Sequence, residues 1–325
     1  LLLVLANAFS IACLIWVLRE IRLAELWADI KRMNWYWVAA ASVADVAVYF
    51  WHGWRWQLVL RPLKPVGYGH SVRAIYVGLF ANEILPLRAG EVLRCYLLGR
   101  WERIPFSVML SSAAIERVFD GIWLSAGLLL ILQFVSLPRG LQWLPGAAWV
   151  LVGIVLGLGV LLLSAMMKGP PEKRAAEGRL RRNLRVLIED LNMIGHSRFL
   201  YYAAVISLPY LLIQVLPILF VMKGYRFDFG VAEALVLMVI LRLGAVVPQA
   251  PGNVGLFQAL ATVALHELYG LPREEAARFS FVLWGVVTIP LLIAGFVAMA
   301  ITGSKLGELQ RQANADMESE MARRS

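Results

Sequence analysis

The residues that could do chemistry fall into a few tight groups. Arg88, Glu91 and Arg94 recur three apart, near one helix face. Glu116 and Asp120 are four apart with Arg117 between them, so both carboxylates share a face. Arg242 stands alone in an apolar stretch, six positions before Pro248, and Asn253 follows. Arginines suit a phosphate, because the planar guanidinium makes two parallel hydrogen bonds. The chemistry suggested is recognition of an anionic head group, with Glu91, Glu116 and Asp120 positioning or balancing the arginines. The same residues also fit a plainer role, with Arg88 and Arg94 as positive-inside anchors and the acids as salt-bridge partners at a helix seam. Asp45 and His266 read as structural. No nucleophile elbow, phosphate loop, dinucleotide fingerprint or metal-ligand spacing occurs, so no cofactor, metal or enzymatic activity is expected.

These groups cluster at two interruptions. NEILPLRAGEVLRCYLLGR, from Asn82 to Arg100, holds Pro86 and Gly90 directly after an apolar helix over 71–85. PQAPGNVG, from Pro248 to Gly255, repeats the pattern P-x-x-[AP]-G-[EN]-V after another apolar helix over 231–247. Proline removes a backbone donor and crowds the preceding turn, so both helices must break. Pro86, Gly90, Pro248, Pro251, Gly252 and Gly255 are the candidate hinges. Paired Pro/Gly interruptions in two halves of an apolar chain point to a transporter site near the midplane.

The surrounding elements must then lie in lipid. Of 325 residues, 60% are hydrophobic and only 16% charged, against roughly 45–50% and 25% in soluble domains. Apolar spans are expected over 1–18, 35–60, 106–135, 147–167, 199–222 and 279–301. Residues 19–34 read as an amphipathic surface helix, with Leu23, Trp27 and Ile30 on one face. Trp35, Tyr36 and Trp37 form one aromatic belt, and Trp51, Trp54 and Trp56 around Arg55 a second. A net charge of +9 in such a chain speaks for cytoplasmic loops and anionic lipid rather than nucleic acid. Cys13 and Cys95 form no disulfide framework.

The basic loop 168–198 sets orientation and belongs in the cytoplasm. Counting outward puts 55–73 inside, and 136–146 and 223–230 outside. The first break then enters and returns from inside, the second from outside. The expected fold is all-α: a polytopic helical membrane protein with two opposed, Pro/Gly-broken re-entrant hairpins in an inverted repeat. One transmembrane domain covers 1–301, with repeats at about 35–135 and 199–301, and 302–325 form a cytoplasmic tail.

NEILPLRAGEVLR, the downstream IERVFD, RWQLVL at 55–60 and VPQAPGNVGLFQ together resemble the lysylphosphatidylglycerol synthase transmembrane region, or flippase-like domain family, over nearly the whole chain. The resemblance implies a multi-pass protein of the bacterial inner membrane that moves a lipid between leaflets. Larger relatives carry a soluble C-terminal domain that attaches an amino acid to phosphatidylglycerol; here only a short tail follows Gly303, so that activity is expected to be absent. The resemblance also covers isoprenoid-derived lipids. The leading expectation is an ATP-independent flippase or scramblase for an anionic or isoprenoid-type lipid. A non-transporting scaffold for a lipid- or glycan-modifying enzyme, and a membrane transferase, are the alternatives. Envelope-lipid biosynthetic enzymes and a second copy of the chain are candidate partners.

The topology is directly testable. With single cysteines in a Cys-free background, an impermeant thiol reagent applied to intact cells should label 136–146 and 223–230, and spare 55–73 and 168–198. Labelling of 168–198 would overturn the count.

Overall fold

The computed structural model describes residues 2–85, 89–134, 152–160, 197–245 and 250–303, with a few isolated positions besides. Pro86, Arg88, Pro248, the loops 136–145 and 168–196, most of the span at 147–167 and most of the tail lie outside the described residues. The described part is all-α.

α1 (Leu2–Leu18) is followed by α2 (Leu23–Arg32), whose Leu23 and Trp27 are exposed, as an interfacial helix requires. α3 (Trp35–Leu60) starts where Asn34 accepts a hydrogen bond from the Tyr36 N–H at 3.1 Å, satisfying an otherwise orphaned donor. α4 (Tyr68–Ile84) and α5 (Gly90–Glu102) flank the first break. α6 (Phe106–Phe134) follows, and helical residues 152–160 pack on it, with Val155 beside Gly121.

The span expected over 199–222 is two helices, α7 (Arg198–Ile213) and α8 (Val215–Gly224), meeting at Gln214. Pro217 is the cause: it cannot donate to the carbonyl four residues earlier, so the ladder opens at Ile213. α9 (Val231–Gly244), a single 3-10 turn (Pro251–Asn253) and α10 (Leu256–Tyr269) form the second broken segment. α11 (Arg273–Thr302), 30 residues long, closes the bundle. Its Ile289, Ile293, Phe296, Val297 and Ile301 are exposed at helical spacing, an apolar stripe that water would not tolerate and lipid would.

Both broken segments are antiparallel helix pairs. The Gly67 N–H donates to Glu102 at 3.0 Å, and His70 lies 2.8 Å from the same carboxylate, which joins the start of α4 to the end of α5. Near the break, Gly90 backs onto Gly78 and Asn82. In the second pair, the Phe229 and Tyr269 rings, 5.3 Å apart, join the outer ends, and Gly244 meets Leu260 near the break. The two tips touch: Gly252 lies against Glu83 of α4, and Trp284 of α11 donates to the Gly252 carbonyl at 2.7 Å. Gly252 (φ 72°) and Gly255 (φ 95°) take left-handed backbone that other residues rarely adopt. α1 holds this second break, its Ser10 hydroxyl accepting from the Ala250 N–H at 2.9 Å.

The core has two large parts. One joins α3, α4, α5 and α6 with the end of α11, through Trp56, Ile75, Leu97 and Met299. The other joins α7 to α10 with the start of α11, through Val221, Leu237, Leu265 and Phe279. The expected second aromatic belt is corrected here. Trp56 and Arg55 are fully buried and Trp51 donates to the Ile206 carbonyl, so only Trp54 of that group is exposed. These side chains face inward because α3 is covered by α4, α6 and α7 along this part.

The α4–α5 approach depends on missing side chains. A Cβ on Gly90 would sit 1.8 Å from the Gly78 carbonyl oxygen, whereas one on Gly69 would meet nothing within 4 Å. Gly90→Ala should therefore force the pair apart, costing about 1–3 kcal/mol. In detergent, thermal unfolding followed by size-exclusion fluorescence should show a lower midpoint for Gly90→Ala, and an unchanged or higher one for Gly69→Ala.

Candidate functional site

Glu116 of α6 is fully buried and is the hub of one polar centre. It accepts two hydrogen bonds from Arg94 of α5, both 3.0 Å, and one from Arg55 Nε of α3 at 3.3 Å. His52 Nε2, one turn earlier on α3, lies 3.2 and 3.3 Å from its two oxygens. Arg55 also pairs with Asp120, one turn along α6, and donates to Ser207 of α7 at 3.2 Å. Arg94 bridges Glu91 at 3.1 Å. Arg117 completes the ring, 3.6 Å from Glu91 and 3.3 Å from Asp120.

Three cations and three anions therefore balance inside the bundle. The guanidinium of Arg55 lies over the Tyr210 ring at 4.4 Å, and that of Arg94 over the Trp56 ring at 4.5 Å. One face of each cation is thus covered by an aromatic ring, which attracts it. Arg94, 2% exposed, has no room for a ligand. Arg117 is different, with its side chain 51% exposed.

The second polar centre is a cavity of about 140 Å³ where the two broken segments meet. Arg242 of α9, Asp45 and Tyr49 of α3, Glu83 of α4, and Asn253 and Trp284 line it, among others. Arg242 is within electrostatic reach of the Tyr49 hydroxyl and of Asp45. Asn82 Oδ1 and Gln214 Oε1 also border the cavity; each belongs to a residue under a tenth exposed, and neither has a protein hydrogen-bond partner. Buried acceptors of that kind are ordinarily met by water or a ligand. The two centres adjoin, because Tyr49 contacts the His52 ring and Tyr210 packs on both His52 and Arg55.

The sequence groups are thus redistributed. Glu91, Arg94, Glu116, Arg117 and Asp120 come together as expected, but around a buried hub and with each other's charges. Arg242 and Asn253 stand apart from them, in the cavity. Arg88 is outside the described residues, as are the hinges Pro86 and Pro248; Gly90, Pro251, Gly252 and Gly255 lie at the breaks. Sequence reading missed His52 and Arg55, and gave Asp45 a structural role. A signal existed: Asp45, Tyr49, His52 and Trp56 recur at three- and four-residue spacing along α3, a polar stripe on an apolar helix. Among the described residues, no cluster of His, Cys, Asp or Glu could hold a metal.

Helices with exposed apolar faces around buried, mutually neutralised charges define a multi-pass helical membrane protein. Within that class, the chain belongs to the family of the lysylphosphatidylglycerol synthase TM region, whose family model matches residues 3–295. It is 26% identical over 272 residues to the glycosyltransferase AglD of Haloferax volcanii, covering 71% of this chain and 43% of that protein. Over 90 residues it is 31% identical to a UPF0104 membrane protein of Methanocaldococcus jannaschii, 26% of each chain. A UPF0104 membrane protein of Methanothermobacter thermautotrophicus matches at 30% over 87 residues, 26% of this chain and 25% of that one. The chain spans less than half the length of these curated relatives.

The hub makes a sharp forecast. Glu116→Ala leaves two buried arginines without their shared anion, a loss of about 3–5 kcal/mol. Arg117→Ala, at a half-exposed pair, should cost under about 1 kcal/mol. Thermal midpoints of the purified variants separate the two; equal midpoints would remove Glu116 from its central place.

Proposed function

We propose that the protein is a lipid translocase, a flippase or scramblase working without ATP, that passes an anionic or isoprenoid-phosphate head group through the cavity between the two broken segments. The observation that carries this reading is the position of Arg242. It is a cation in a partly polar cavity, at the junction of two helix breaks, beside unmet acceptors that water or head-group hydroxyls can satisfy. An ionised group in bare hydrocarbon costs several kcal/mol, and a path lined by freed backbone and polar side chains removes much of that cost.

Helix lengths support the re-entrant, inverted arrangement. α4 and α5 have 17 and 13 residues, and α9 and α10 have 14 each. At 1.5 Å per residue these reach roughly 20–26 Å, short of the ~30 Å hydrocarbon core. Each pair returns to the end where it began, and the tips meet. Half-crossing pairs from opposite faces fit those facts, and in that arrangement the cavity would lie near the midplane.

Cavity size selects what is held. About 140 Å³ accommodates a phosphodiester and a few waters, below the ~300–1,000 Å³ that enclose a whole drug-sized ligand. Acyl or isoprenoid chains would stay in the bilayer while the head group crosses. The cytoplasmic membrane is the proposed location. Biosynthetic enzymes for the same lipid, or a second copy of the chain, are the proposed partners. A second reading, a membrane transferase, is favoured by the name of the Haloferax relative, though this chain matches under half of that protein.

The test is translocation of fluorescent phosphatidylglycerol in phosphatidylcholine proteoliposomes, followed by dithionite quenching. Arg242→Ala should slow it at least tenfold while the variant stays monodisperse. Arg242→Lys should recover only part, since lysine keeps the charge and loses the fork. Wild-type rates in Arg242→Ala would remove the head group from this cavity. Sugar transfer from a polyisoprenyl-phosphate donor by the purified protein would favour the transferase.

A further inference from the structure

A cation waiting for an anionic cargo needs a countercharge while it waits. In this cavity Asp45 shares the lining with Arg242. It stands on α3, one turn before Tyr49, and lines the same cavity as Arg242. The charged and titratable groups that face Asp45 are Arg242 from α9, Glu83 and Tyr76 from α4, and Tyr49 from its own helix. Arg242 is the only cation among them in the described residues. Asp45 Oδ2 is buried and has no protein hydrogen-bond partner. By contrast, Arg55 and Arg94 are held by Glu116 and Asp120 and are not available to Asp45.

We propose that Asp45 is a proton-coupling residue: an arriving phosphodiester anion takes over Arg242, and Asp45 compensates by accepting one proton. This rests on the head-group reading of the cavity and adds its energy source. The exchange balances. The cargo brings one negative charge, and the proton, taken from water on the side of arrival, brings one positive charge to an Asp45 oxygen. No covalent bond to the cargo forms. When the head group leaves, Asp45 releases the proton and faces Arg242 across the cavity again. Without the proton, a carboxylate and a phosphodiester would compete for one guanidinium inside the bundle, which holds the cargo weakly. A cavity with this arithmetic moves an anion and a proton together, so a proton gradient biases the direction of lipid movement.

The coupling has a thermodynamic signature that a structural aspartate lacks. The probe is sn-glycerophosphoglycerol, a soluble phosphodiester whose own charge is constant from pH 6 to 9. Its binding to the full chain in detergent is measured by calorimetry in two buffers of different ionisation enthalpy. Wild-type protein should take up close to one proton per ligand at the upper end of the range. Its affinity should there fall about tenfold per pH unit. Asp45→Asn should take up none, bind with pH-independent affinity, and bind more tightly than wild type at pH 9. A variant aspartate that merely packed would bind less tightly or not at all. Wild-type binding without proton uptake overturns the coupling and leaves the head-group site standing. Absence of binding by wild-type protein overturns both. If Asp45→Asn does not fold, the wild-type proton count decides alone. Inorganic phosphate, run in parallel, distinguishes a general anion site from one that requires the diester: equal affinity would remove the lipid head group as the occupant, and the coupling to lipid with it.

Discussion

The buried carboxylate of Glu116 is the constraint on which the N-terminal half is built. A lone carboxylate in this position would be prohibitively costly, and so would Arg55 or Arg94 alone. Together they oblige α3, α5 and α6 to present their polar residues to one point, with α7 contributing Ser207 and Tyr210. α5 begins at a break and is short, so packing alone would orient it poorly. The double hydrogen bond from Arg94 to Glu116 fixes its rotation. Once α5 is fixed, α4 follows, because Gly78 and Gly90 allow only one close approach.

The protein thus separates two uses of charge that lie side by side. In the Glu116 centre, cations and anions are matched in number around a buried hub, and the result is rigidity. In the cavity, Arg242 and Asp45 face a space large enough for water and a small polar group. Tyr49 and Tyr210 stand between them. The sealed centre holds the breaks in place without demanding their flexibility, and leaves the cavity to the groups that can change partner.

Much of the helix layout was legible in the sequence. α1 and α3 end where hydropathy ends, and the Asn34 cap marks the start of α3. Both breaks were legible because proline and glycine act locally. What lay beyond reach was partner choice. Arg88, Arg94 and Arg242 looked alike as cations near breaks, yet Arg94 is fully committed to Glu91 and Glu116. That outcome depends on α6 crossing α5 at one height, which no local pattern encodes. Arg55 was hidden for the opposite reason: its tryptophan neighbours imitate an interfacial belt, while Trp56 is in fact its core neighbour. The joint at Gln214 was readable from Pro217, but an apolar stretch of that length overrode the signal.

The grip of α1 on the second break has a consequence for how the chain is made. Ser10 meets Ala250 and Gly255, partners 240 and 245 positions later in the sequence, and its carbonyl leaves no space for a Cβ at Gly255. A helix made 240 residues before its partner therefore takes its final seat only after that partner has been made. During synthesis it must wait in the bilayer while the helices between are threaded in beside it. Assembly of this bundle therefore has a late step, the docking of α1 onto the second break, which cannot precede synthesis of Ala250 and Gly255.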